Sequence, residues 1–84
     1  MSYGISILRR AQKELERLPS DAYRQVRDAV RSLGGQPRPA GCLKLTDRDA
    51  WRIRVGDYRV IYEIDDHEQQ VTVMHIGHRR DVYR

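Results

Sequence analysis

A chain of 84 residues makes one small domain that buries only ~60–65% of its unfolded surface, which excludes a deep enclosed cavity. Charged residues are 33% of the chain and mean hydropathy is −0.77, yet the aliphatic residues fall in ordered periods, which excludes a disordered chain. The net charge of +4 at a pI of about 9.6 is carried almost wholly by arginine, with Lys13 and Lys44 the only lysines, and it points to a polyanionic or acidic partner.

Tyr3, Ile5 and Ile7 alternate with small residues and predict a first strand over Tyr3–Leu8. Leu8, Ala11, Leu15 and Leu18 follow helical spacing, and Pro19 ends that helix. Ser20-Asp21 reads as the cap of a second helix with an apolar stripe of Ala22, Val26, Ala29, Val30 and Leu33, stopped by Gly34-Gly35. So short a connection allows only an antiparallel helical hairpin. Arg24, Arg27 and Arg31 form an outward stripe on its second helix, read as a solvated face with antitoxin or nucleic-acid contact as the lesser alternative.

Residues 36–41, with Pro37, Pro39 and Gly41, read as an ordered loop and not a domain linker. Cys42 is the only cysteine, so no internal disulfide exists and no cysteine zinc site can be built. Leu43-Lys44-Leu45 is a short strand, and Thr46–Asp49 turns into Trp51-Arg52-Ile53-Arg54-Val55-Gly56-Asp57-Tyr58-Arg59-Val60-Ile61-Tyr62. There apolar residues alternate with polar ones on both sides of a two-residue glycine turn, the signature of a β-hairpin. The turn fixes the register. Val55 faces Tyr58, Arg54 faces Arg59, Ile53 faces Val60 and Arg52 faces Ile61. Trp51, Ile53, Val55, Tyr58, Val60 and Tyr62 then share one face, and Arg52, Arg54 and Arg59 the other.

Like charges placed opposite each other destabilise a ladder, so three converging arginines call for a carboxylate between them or an anion above them. Guanidinium forks match phosphate oxygens. Glu63 shares strand parity with Arg59 and reads as its neutralising partner. Val71–Ile76 is dense enough in apolar residues for an interior strand. After it, Gly77 can bulge or bend the chain, bringing Arg79 or Arg80 to the arginines and Tyr83 as an aromatic plane, which suits single-stranded nucleic acid.

The expected architecture is α+β: one domain over residues 1–84, its N-terminal strand and helical hairpin packed on one face of a small, mainly antiparallel sheet of three to four further strands. Three scattered histidines beside a cationic patch make no metal site, and no cofactor is expected. No apolar run reaches the ~18 residues of a membrane span, and the N-terminus lacks a signal-peptide core, so the expected place is the cytoplasm, away from membranes.

The helical hairpin, the Trp51–Ile64 motif and the ending Gly77-His78-Arg79-Arg80-Asp81-Val82-Tyr83 together resemble the RelE/ParE toxin superfamily, over nearly the whole chain, and its RelE branch in the ending. The resemblance implies the toxin of a type II toxin–antitoxin pair, a ribosome-dependent endoribonuclease that cuts mRNA by attack of the ribose 2′-hydroxyl, leaving a 2′,3′-cyclic phosphate. It implies catalytic roles for Arg52 and Arg54 near the scissile phosphate, Arg59 on the transition state, Arg79 near the leaving group and Tyr83 stacked on a base. Lys44, Arg48, Arg80 and Arg84 are expected to add RNA contacts. It further implies a cognate acidic RelB-like antitoxin, the ribosome and mRNA as partners, and a higher-order toxin–antitoxin oligomer. The competing readings are a ParE-like inhibitor of gyrase and a catalytically weak toxin-fold binding module.

One departure shapes the chemistry. The best-known RelE pattern has lysines where this chain has Arg52 and Arg54, and an arginine holds its proton too tightly to act as a base. Three readings stay open: His78 or His75 takes the proton, positioning and charge suffice without a base, or the chain is not a nuclease. Of the histidines, His78 is the acid/base candidate, His75 reads as a structural strand residue, and His67 belongs to a turn.

Overall fold

Pro19 divides the helical segment as its missing N–H requires. In the computed structural model, which describes residues 2–80, α1 runs Arg9–Glu16 and α2 runs Ser20–Ser32. Before them lies β1 (Gly4–Ile7), and after them β2 (Leu43–Lys44), β3 (Trp51–Val55), β4 (Tyr58–Asp65) and β5 (Gln70–His78). The five strands form one sheet in the order β1-β5-β4-β3-β2. Only the β1–β5 pair is parallel; the others are antiparallel. The fold is the expected α+β arrangement.

Both helices turn their stripes onto one face. Ala11 and Leu15 of α1 and Val26, Val30 and Leu33 close over Ile53, Val60, Tyr62, Val71, Val73 and Ile76. Removing such a buried aliphatic side chain costs about 2–5 kcal/mol. The opposite face carries a smaller cluster of Ala50 and Ile61 with Leu45 and Met74. Two local expectations change. Pro19, not Ser20, precedes the first turn of α2, and no side chain caps it; Asp21 instead lies within that turn and pairs with Arg24 at 2.5 Å. Leu8 stands before α1 and stays 43% exposed, because its N–H is engaged by the Val73 carbonyl at 3.0 Å as β1 ends.

β5 holds one extra residue. Ile61 opposes His75 but Tyr62 opposes Val73, so Met74 is a bulge. The bulge changes which parity of β5 faces the core: Val71 and Val73 on one side of it, Ile76 on the other. Pairing also continues past Gly77 to His78, so the glycine extends the strand where the sequence suggested a bend.

The 36–41 loop is held from three sides. The Tyr62 hydroxyl donates to the Pro37 carbonyl at 2.7 Å. Arg38 places both terminal nitrogens on the Asp66 carboxylate, at 3.2 and 2.9 Å, and lies 5.0 Å from the Trp51 ring centre. Tyr3 adds a hydrogen bond to Asp66 at 2.6 Å. The Arg38 and Tyr3 hydrogen bonds hold the Asp66 carboxyl down at about 2. The Tyr62 phenol is pushed up, first by burial.

A depressed carboxylate stabilises the fold above its unfolded value of ~3.9 and ceases to do so as pH falls through its folded value. Asp66→Asn is therefore expected to lower the melting temperature at neutral pH, with the difference from the parent shrinking between pH ~4 and ~2. Thermal melts across that range check it.

Candidate nucleic-acid interface

The hairpin forms in the expected register: Val55 pairs with Tyr58, Arg54 with Arg59, Ile53 with Val60 and Arg52 with Ile61. Its turn works because Gly56 takes a φ of +59°, a left-handed conformation that costs a residue with a Cβ about 1–2 kcal/mol. Alternation then puts Arg52, Arg54 and Arg59 on the face away from the helices.

Their environments differ. Arg54 is exposed and Arg52 half-buried, while Arg59 keeps only 7% of its surface open. The Arg59 Nη1 donates to the Tyr58 carbonyl at 3.5 Å. On β5 the residue opposite Arg59 is Gly77, which offers no side chain on that face. A nearly enclosed guanidinium has given up rotamer freedom at the folding step, so binding an anion there orders little more. Next to the turn, the Arg79 N–H donates to the Asp57 carbonyl at 2.8 Å, tying the end of β5 to the hairpin tip. Arg79 and Arg80 are exposed.

The structure brings some expected residues together and separates others. His78 opposes Tyr58, and the two rings meet edge to face at 5.8 Å, which places His78 on the helix side of the sheet and away from the arginines. Its Nδ1 accepts the Arg80 N–H at 3.3 Å, so the neutral ring carries its proton on Nε2 and presents a donor there. Lys44 opposes Trp51 and thus also faces the helix side, with Nζ 3.2 Å from Asp49. Arg48 is an exposed turn residue whose carbonyl accepts the Ala50 N–H at 2.9 Å. Tyr83 and Arg84 lie outside the described residues. Glu63 opposes Thr72 and stands four residues along β4 from Arg59, roughly 13 Å of strand. It lines an acidic hollow with Asp49, Asp65 and Glu68 and does not sit among the arginines.

His75, expected as a strand residue with structural contacts, has a partner from outside the sheet. It opposes Ile61, which in turn opposes Arg52, so the three share one cross-strand row. Its Nδ1 lies 2.9 and 2.7 Å from the two Glu14 oxygens. A hollow of about 580 Å³ opens where α2 and the 36–41 loop meet β3, lined by Leu33, Pro39, Leu43, Ile53 and Val55 with Arg52 and Arg54 at its margin. The described residues hold no cluster of groups that could bind a metal ion, and no helix among them is long and apolar enough to cross a membrane.

This arrangement, a helical hairpin on a five-stranded sheet with a cationic hairpin tip, has relatives. The model of the ParE toxin of type II toxin–antitoxin systems matches residues 5–83. The chain belongs to the RelE/ParE family of type II toxins. Toxin RelG of Mycobacterium tuberculosis is 30% identical over 86 residues, covering 100% of this chain and 99% of that protein. Toxin RelE of the same organism is 34% identical over 84 residues, covering 98% and 87%. The archaeal RelE–RelB complex of Pyrococcus horikoshii superposes with a TM-score of 0.85 at 28% identity, covering 98% of this chain and 100% of the matched chain.

Because the turn sets the register of every arginine, its backbone strain is measurable on its own. In Gly56→Ala the new Cβ would meet only Gln25 Oε1 at 3.8 Å, an ordinary contact, so the cost is conformational. Urea denaturation is expected to show a loss of about 1–2 kcal/mol for this RelE/ParE-family chain, with an unchanged m-value.

Proposed function

We propose that this type II toxin is a ribosome-dependent endoribonuclease that cleaves mRNA through the ribose 2′-hydroxyl, giving a 2′,3′-cyclic phosphate and a 5′-hydroxyl end. The observation that carries the reading is Arg59, 7% exposed and paired across the ladder with Arg54, on the face that Arg52 also shares. A preordered guanidinium supplies the electrostatic stabilisation that a phosphorane-like transition state requires, without reorganisation during the reaction. Arg52 and Arg54 bind the flanking phosphates, and Arg79 stands towards the leaving oxygen. Tyr83 is assigned a stacking role with a base. The likeness to toxins named RelE and RelG supports the RelE-type activity.

A cognate acidic, RelB-like antitoxin is the expected protein partner, in line with the RelE–RelB complex of the archaeal relative, and the toxin–antitoxin pair is expected to assemble further. The hollow beside β3, which Leu33, Pro39, Leu43, Ile53 and Val55 line together with Arg52 and Arg54, suits an acidic amphipathic segment. Inhibition of gyrase is the second reading, supported by the match to the ParE model. Cytoplasmic action follows from either target.

Expression in a bacterial host, followed by sequencing of mRNA ends, separates the two. Cleaved mRNA and arrested growth are expected, with Arg59→Ala lowering cleavage by about 10²–10³-fold while the chain stays folded by circular dichroism. DNA damage with intact mRNA would instead assign the gyrase activity.

A further inference from the structure

Among the described residues of β3 and β4, no histidine or carboxylate stands beside Arg52, Arg54 and Arg59, and His78 faces the other way. The edge of β5 supplies a different candidate. β1 stops pairing at Ile7 opposite Val73, leaving the rest of that edge of β5 to α1. Glu14 of α1 occupies it. One carboxylate oxygen accepts the Ile76 N–H at 3.0 Å, and the carboxylate meets His75 Nδ1 at 2.7–2.9 Å. An ionised carboxylate only accepts hydrogen bonds, so His75 Nδ1 must carry the proton, and in the neutral ring Nε2 keeps its lone pair. Among the described residues the ring's hydrogen-bond partner is Glu14, on Nδ1, and Nε2 has none. The ring retains 13% of its surface against 23% for Glu14.

Placement agrees with tautomer. His75 shares a cross-strand row with Arg52, through Ile61. Arg59 opposes Gly77, two residues from His75, which makes His75 and Arg59 diagonal neighbours roughly 7–8 Å apart, within reach of long side chains. The Met74 bulge turns His75 to this position, since without it the parity of β5 would reverse. Carboxylate, imidazole with its Nδ1–H fixed, and an acceptor Nε2 beside a cationic transition-state site form the orienting arrangement by which a carboxylate prepares a histidine base.

We propose that His75 is the general base of the cleavage reaction and that Glu14 is its positioning residue; this rests on the ribonuclease reading above. His75 Nε2 takes the proton of the ribose 2′-hydroxyl as the 2′-oxygen bonds to phosphorus. The bond from phosphorus to the 5′-oxygen breaks, and the departing oxygen takes a proton from water. The imidazolium then returns its proton to solvent. Among the described residues, the charged groups facing His75 are Glu14 and, through it, Arg10 of α1 at 3.5 Å, with Arg52 on β3 and Arg59 on β4 on the same face of the sheet. β1 contributes none, since Gly4–Ile7 holds no ionisable side chain.

The test is the pH dependence of mRNA cleavage on purified ribosomes by the full chain and its variants. The parent rate is expected to rise with pH along an acid limb, as a base that must be deprotonated requires. His75→Ala should cut the rate at neutral pH by about 10²–10³-fold, flatten that limb, and recover in part with added imidazole. Glu14→Gln keeps an acceptor for the Ile76 N–H but removes the charge that favours the imidazolium. Its acid limb should move to lower pH and its rate fall about tenfold or more. Full activity of His75→Ala, or an acid limb unmoved in Glu14→Gln, would overturn the assignment while leaving the nuclease reading intact. Failure of the parent to cleave at all would remove both.

Discussion

The closing pair of the β3–β4 hairpin governs the cationic site. With only Gly56 and Asp57 between Val55 and Tyr58, and Gly56 in the left-handed region, the two strands have a single available register. That register opposes Arg54 to Arg59, a pairing that a ladder by itself disfavours. The apolar partners on the other face, from Ile53–Val60 to Trp51–Tyr62, are packed beneath the helices and hold the arginines in this register.

The second organising feature is the single extra residue in β5. Before it, Val71 and Val73 face the core; after it, Ile76 does. The same shift puts Gly77 opposite Arg59, His78 beneath Tyr58, and His75 in the row of Arg52. Glu14 then fills the edge that β1 leaves open, accepting both the Ile76 N–H and the His75 Nδ1–H. One carboxylate thus does the structural task of satisfying a strand edge and the chemical task of fixing a tautomer. A helix packed on one face of the sheet reaches His75 on the other through an outer polar residue.

The hairpin, the two helices and the arginine face could be read from sequence because each rests on short-range signals: a two-residue turn, 3.6-residue spacing, strict alternation. Sequence alone does not fix the faces of His78 and Lys44, and pairing with Tyr58 and Trp51 puts both on the helix side. The clue to the bulge was present. Apolar residues at Val71 and Val73 and then at Ile76 break a period of two, a phase slip that one extra residue explains. The burial of Arg59 and the grip of Glu14 on a strand 61 residues away had no local signal, since alternation gives a face and not what covers it. The same holds for Arg38 and Asp66, which join the 36–41 loop to the β4–β5 turn.

The central physical claim is that the face bearing Arg52, Arg54 and Arg59, with Arg79 at its end, is built to hold the phosphates of a single strand. Equilibrium binding of a 2′-deoxy oligonucleotide, which cannot be cleaved, tests it most directly when titrated across salt concentration. Three to four phosphate contacts predict that log K falls against log[salt] with a slope of about −2 to −3. A slope near zero, or no binding at low salt, would contradict the account.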